Sequence, residues 1–135
     1  MSRSPELDRL IRYRLDRAEE AYRDAISLAK GKSWNGCINR LYYSCFYAVT
    51  ALLAKDNLSS PKHTGVRSLF NKNYVRVGII SKDMATVFNE LFEYRQEADY
   101  TDFVEFEESQ VLPFIERVRG FLDTISERIT SADGS

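Results

Sequence analysis

Residues Trp34–Ala54, WNGCINRLYYSCFYAVTALLA, form the most apolar and aromatic stretch of the chain. On a helix of 3.6 residues per turn, Trp34, Cys37, Ile38, Leu41, Cys45, Ala48, Val49 and Leu52 share one broad face. The opposite side carries Asn39, Arg40, Tyr43, Tyr47 and Thr50, and no Glu or Lys occurs anywhere in the stretch. A helix that is apolar or aromatic nearly all round is covered on nearly all sides. This segment is therefore expected to be a central helix on which the others pack.

On its N-terminal side, Leu7, Leu10, Ile11, Leu15, Ala18, Tyr22, Ala25 and Leu28 repeat at helical spacing, which predicts a helix from Glu6 to Lys30 ended by Gly31. Ser33 stands where a cap of the central helix belongs. After the turn-like DNLSSP (56–61), a short helix is expected from His63 to Tyr74, with Val66, Leu69, Phe70 and Tyr74 inward. Ser81 can cap a helix from Lys82 to Ala98; a break covers Asp99–Phe106; a last amphipathic helix runs from Glu107 to Ile129. Pro113 either lies in the first turn of that helix or kinks it. Residues 1–5 read as a flexible leader, 6–129 as the domain and 130–135 as a disordered polar tail. The fold class expected is all-α, an up-and-down four-helix bundle with one additional short helix.

A length of 135 residues, with 44% hydrophobic and 29% charged residues, suits one globular domain with a real core. The formal net charge of −1 supplies no global positive field toward nucleic acid and leaves a local basic patch open. No apolar run reaches the roughly 18 residues of a membrane span, and no signal-peptide segment is recognisable, so a cytoplasmic protein with no membrane association is expected. Cys37 and Cys45 lie about 12 Å apart along one helix, too far for a disulfide within the chain. They read as core residues, with a reactive thiol as the alternative. One histidine and two cysteines do not furnish a zinc site, and neither metal nor cofactor is expected.

Two arginines fall inside apolar faces. Arg14 is either a snorkelling side chain at the core edge or a buried charge with a carboxylate partner. Arg95 lies in the arc of Met84, Val87, Phe88, Leu91, Phe92 and Ala98, with Asp99 one turn later. An unpaired guanidinium among apolar groups is costly, so Arg95 is expected to meet Asp99, another carboxylate or an external anion. Arginine preceding aspartate is the weaker order for such a pair, and both a structural ion pair and a functional site stay open. The stripe of Arg40, Tyr43 and Tyr47 suits packing, a dimer contact or a stacking platform for bases. Glu105, Glu107 and Glu108 suit a solvated helix start. His63, the sole histidine, is either a cap or packing residue, or a partner of Arg95 in a cleft.

RQEADY at Arg95–Tyr100, NRLYYSCFYA at Asn39–Ala48 and PKHTGVRSLFNK at Pro61–Lys72 occur in that order. Together, over about Leu7 to Ile129, they resemble HEPN-domain proteins, especially the small single-domain members of bacteria and archaea. The resemblance implies a bundle of four main helices that often dimerises, with the arginine motif near the dimer cleft. Many members of that family are RNA-cleaving toxins. Others stand beside a nucleotidyltransferase antitoxin, which in some cases adds AMP to a tyrosine. The family's nuclease motif is an arginine followed four to six residues on by histidine. Here Arg95 matches the arginine, no histidine follows it, and Tyr100 stands five positions on.

The substitution matters chemically. Cleavage through the RNA 2′-hydroxyl needs a proton carrier near neutral pH, which histidine is; tyrosine, with a reference pKa of about 10, is a poor base. The first expectation is accordingly a nucleotide- or RNA-facing binding module, a homodimer partnered with a nucleotidyltransferase in a toxin–antitoxin-like system, with Arg95, Asp99, Tyr43 and Arg40 as contacts. The alternatives are a metal-independent ribonuclease using Arg95 with His63 or Tyr100, and a purely structural helical protein.

Overall fold

The structure, a computed structural model, describes residues 3–134 and the side chains through Ser131. Its elements are α1 (Pro5–Lys30), α2 (Trp34–Lys55), α3 (His63–Phe70) running into a π-helical turn (Asn71–Val75), α4 (Lys82–Tyr100) and α5 (Glu108–Gly134). No strand occurs among the described residues. The all-α bundle of four long helices and one short one is the architecture expected.

Helix α1 starts one residue earlier than its apolar spacing suggested. Ser4 Oγ accepts from Leu7 N at 3.1 Å, Pro5 opens the helix, and Glu6 and Asp8 complement its dipole. Ser4 and Pro5, read as part of a leader, thus begin α1; Met1 and Ser2 lie outside the described residues. Helix α1 ends at Gly31 as expected, but the left-handed backbone falls elsewhere. Gly31 keeps an ordinary φ of −86°, and the left-handed residue is Lys32, at φ 59°. Ser33 N bonds back to Leu28 O at 2.8 Å, but its side chain makes no cap bond. A short link joins α1 to α2, and at Gly36 the packing is tight: a Cβ there would lie 3.2 Å from Leu28 Cδ1.

Helix α2 is the centre of the bundle, touching α1, α3, α4 and α5. All eight residues of its expected inner face are buried except Trp34, which is half-buried, and none from Gly36 to Lys55 is fully exposed. Ser44 is buried there because its Oγ donates to Ala18 O at 2.8 Å. Arg14 resolves as neither alternative alone: half-buried, it donates to the Thr50 carbonyl of α2 at 3.0 Å and meets no carboxylate among the described residues. Cys37 and Cys45 are free and buried, and desolvation pushes both thiols up, Cys37 to about 11.

Phe70, Phe88 and Phe121 bring α3, α4 and α5 together beside α2, each buried and in ring contact with the others. Burial of such a side chain stabilises by about 3 kcal/mol. Tyr74, in the π turn, donates its hydroxyl to Asp56 and lies within bonding distance of Leu52 O, tying that turn to the end of α2. Ser81 caps α4 as expected, accepting from Met84 N at 3.1 Å. Helix α4 runs to Tyr100, and Ala98, placed in its inner arc from spacing, is exposed because this end projects past the neighbouring helices.

The following loop is clamped by one side chain of α2. Asn35 donates to Val104 O at 2.9 Å and accepts from Phe106 N at 2.8 Å. Pro113 lies inside α5, past its first turn and on the exposed side, and the helix is continuous across it. Anchored by buried Ile125 and Ile129, α5 continues to Gly134 through the segment read as a tail; Ser135 lies outside the described residues.

Candidate functional site

Three elements converge beside the N-terminus of α3. Helix α2 contributes Tyr42, Tyr43 and Phe46, α3 contributes His63, and α4 contributes Arg95 and Asp99. His63 is delivered by the close approach of the 56–61 turn to the first turn of α3. A Cβ on Gly65 would sit 1.9 Å from Ser60 Oγ and 2.8 Å from Ser60 Cβ, so only glycine lets the turn fold down there. Ser60 Oγ in turn accepts from Lys62 N at 3.3 Å, just before His63.

The imidazole of His63 stacks on Phe46, with centroids 4.2 Å apart, and Tyr43 meets it edge-on. Its Nδ1 receives two donors, the Tyr42 hydroxyl at 2.8 Å and Arg95 Nη1 at 3.1 Å. A guanidinium can only donate, so Nδ1 bears no proton in this arrangement and the ring's hydrogen is on Nε2. Among the described residues nothing bonds Nε2. Burial, then the neighbouring Arg95 charge, hold the His63 pKa below its ordinary value, with Asp99 opposing. Burial likewise pushes the Tyr42 phenol well up.

Arg95 is held by several weak partners. Its guanidinium carbon lies 5.2 Å from the Tyr42 centroid and 5.4 Å from that of Tyr43. Its Nη2 is 3.3 Å from the Asp99 carboxylate, which is 45% exposed, and its Nε is buried with no hydrogen-bond partner among the described residues. The Arg95 side chain is only 24% exposed, so the charge is neither waving in solvent nor sealed in the core. It forms the floor of an open cleft of about 320 Å³ whose walls include Thr64, His63, Phe92, Asp99 and Tyr100.

Of the residues singled out from sequence, His63, Arg95, Asp99 and Tyr43 come together here. Tyr100 stands at the rim, 83% exposed, without touching the His63–Arg95 contact. Arg40 does not reach the cleft: it bonds Asn39 and lies over the Tyr43 ring at 5.0 Å. Tyr47 is taken by Arg17 of α1, so that part of the stripe packs within the chain. Tyr42 and Phe46 were missed. The i, i+4 pairing of two rings in NRLYYSCFYA was the available signal, but it reads equally as core packing. No group of three metal-ligating side chains occurs among the described residues, and none of their helices is long and apolar enough to cross a membrane.

The HEPN domain family model matches residues 11–129, nearly the whole bundle and both halves of this cleft. The chain belongs to the HEPN domain family. This HEPN protein is 40% identical to a UPF0332 protein of Thermotoga maritima over 124 residues, covering 92% of this chain and 94% of that one. It is 28% identical to a Methanocaldococcus jannaschii protein whose name describes it as a putative toxin, over 93% of this chain and 83% of that one. A UPF0332 protein of Gloeobacter violaceus is 38% identical over 64 residues, 47% of this chain and 51% of its own length.

Proposed function

We propose that this HEPN protein is a toxin-like module that cleaves RNA in the cleft between α3 and α4, Arg95 binding the scissile phosphate and His63 moving the proton. The observation that carries this reading is the 3.1 Å contact of Arg95 Nη1 with His63 Nδ1. It supplies from α3 the imidazole that the motif after Arg95 lacks. In the reaction the 2′-oxygen attacks phosphorus and the bond to the 5′-oxygen breaks, leaving a 2′,3′-cyclic phosphate and a 5′-hydroxyl. One group takes the 2′-hydroxyl proton and a proton returns to the 5′-oxygen.

A phosphate is a stronger acceptor for a guanidinium than a neutral imidazole nitrogen. Its arrival draws Arg95 away from Nδ1; the ring proton, exchanged through solvent from Nε2, can then sit on Nδ1 and be donated to the Tyr42 oxygen once that hydroxyl has turned. Nε2 is left as the base. The lowered pKa of His63 favours the neutral, proton-accepting ring at neutral pH. The toxin part of the reading is supported by the name of the M. jannaschii relative.

A second reading keeps the cleft and removes the turnover: a nucleotide-binding module governed by a nucleotidyltransferase partner. Tyr100, 83% exposed at the rim, favours it, being open to a partner enzyme. Together with Phe103, which is fully exposed, Tyr100 also supports pairing of two copies at this end of the bundle.

The test is incubation of the full chain with end-labelled single-stranded RNA in the presence of EDTA. Cleavage yielding 2′,3′-cyclic phosphate ends, lost in Arg95→Ala and in His63→Ala, is the expected result. Intact RNA, together with a rise in melting temperature on adding nucleotide, transfers the assignment to the second reading. Cleavage that survives His63→Ala removes the imidazole from the mechanism.

A further inference from the structure

Between Asn57 and Lys82 the chain carries Lys62, Arg67, Lys72, Arg76 and Lys82 and no acidic residue, although its formal net charge is −1. The fold concentrates this excess. An α-helix of 3.6 residues per turn sets a residue five positions on about 140° round from its predecessor. After Phe70 the backbone instead takes an i→i+5 turn, with Arg76 N bonded to Asn71 O at 2.8 Å, and such a turn returns the fifth residue to the same side. Arg67, Asn71, Lys72 and Arg76 consequently line one open groove of about 500 Å³.

Two side-chain arrangements brace that groove against α4. Asn71 and Asn89 exchange amide bonds, both at 3.1 Å. Arg67 is fixed over the Phe92 ring at 4.5 Å and bonded to Asn89 and Glu93, which occupy much of its charge. Lys72 and Arg76 are different: both are exposed, and neither has an ion-pair partner among the described residues. Thr64 and Phe92 line both this groove and the Arg95 cleft, so the two adjoin.

We propose that the α3–π-turn groove is the track for the phosphodiester backbone of a single-stranded RNA whose scissile linkage lies at Arg95 and His63, with Lys72 and Arg76 each neutralising one phosphate. This rests on the reading of the cleft as an RNA site and adds where the rest of the strand lies. A flexible single strand fits an open groove running along a short helix and turning into a cleft. Two unpaired cations along it supply attraction without reading sequence.

The test is fluorescence anisotropy of a labelled 12-nucleotide single-stranded RNA over a series of salt concentrations. The proteins compared are the full chain as His63→Ala, to stop turnover, and the same chain with Lys72→Gln and Arg76→Gln added. Each lost phosphate contact removes about 0.7 from the slope of log K against log salt. The added pair is therefore expected to lower the slope by about 1.4 and to weaken binding about 25-fold at 0.1 M salt. Arg12→Gln with Lys30→Gln, which removes the same charge from exposed sites on α1, is expected to leave the slope unchanged. Salt-dependent binding that is indifferent to Lys72 and Arg76, or equally weakened by the α1 pair, overturns the track while leaving the cleft assignment standing. No binding of the RNA by the His63→Ala chain and no cleavage by the wild type overturn both.

Discussion

Replacing Arg95 by alanine separates a functional arginine from a structural one, because the geometry sets an upper limit on what it contributes to folding. Its ion pair with Asp99 spans i, i+4 in the weaker order and is half solvated, so it stabilises by about 0.3–0.5 kcal/mol. The two ring contacts add about 0.5–1 kcal/mol each, and the bond to His63 about 1 kcal/mol. Against these stands the buried Nε without a partner, whose removal relieves about 1 kcal/mol. The net loss is about 1.3–2.5 kcal/mol, which for a chain of this size lowers Tm by about 4–12 °C. Circular dichroism melts should show that modest shift with a cooperative transition. Cleavage of labelled RNA should fall by at least about 100-fold, as when a donor to developing charge is removed. A Tm drop beyond about 15 °C, or loss of cooperativity, would make Arg95 a structural keystone. Undiminished cleavage would remove it from the chemistry.

Four further outcomes follow from the same geometry. His63 is the only histidine, so one imidazole resonance reports its titration; its pKa should lie below 6.5 in the wild type and move upward in Arg95→Ala, and a downward move would contradict the contact. Because the folded pKa is the lower one, the unfolded chain binds more protons between the two values. The stability contributed above about 6.5 is thus lost as pH falls through that window and levels off below the folded pKa, which denaturant melts against pH should register. Gly65→Ala, which in an open helix would stabilise by about 1 kcal/mol, should here destabilise by about 1–3 kcal/mol, because it displaces Ser60; a gain in Tm would show that the 56–61 turn is not packed this way. Both thiols, pushed up by burial, should ignore a disulfide reagent in the native protein at pH 8 and react on addition of guanidinium, and native labelling of Cys37 would revive the reactive-thiol reading.

The bundle was legible because its signals are local and redundant. Eight apolar positions of α2 repeat at helical spacing, and Ser81 announces α4 with a cap that the structure uses. Arg95 was legible as an anomaly, a charge in an apolar arc. Its pairing with His63 stood only as one alternative, because His63 belongs to another element 32 residues away and reaches Arg95 only when the 56–61 turn closes over Gly65. Tyr42 was missed for the same reason: its hydroxyl meets His63 only through that packing. Spacing arguments also assume a constant helical repeat, so the π turn that gathers Arg67, Lys72 and Arg76 has no periodic signature. Ala98 failed for a related reason: periodicity assigns a face but does not say where the neighbouring helices stop.

Comparison with Arg119 shows why Arg95 is suited to release its protein partners. Arg119 is clamped by both Glu19 oxygens at 2.8 and 2.6 Å, and by Asp123, and also lies over the Tyr22 ring. Those carboxylates already do what a phosphate would do, and the Glu19 bonds raise the Arg119 pKa further. Such an arginine ties α5 to α1 and has little to gain from an anion. Arg95 has two ring faces, a neutral imidazole nitrogen and one 3.3 Å contact with a half-exposed carboxylate, none of which grips the guanidinium by two short bonds as a phosphate can. A phosphate therefore needs to displace only weak contacts, and in the proposed reaction displacing the one on Nδ1 is the event that frees the imidazole to take a proton. On the proposed function, a stronger partner for Arg95 would stabilise the fold and obstruct the reaction, which accounts for an arginine left half-satisfied in the floor of a cleft.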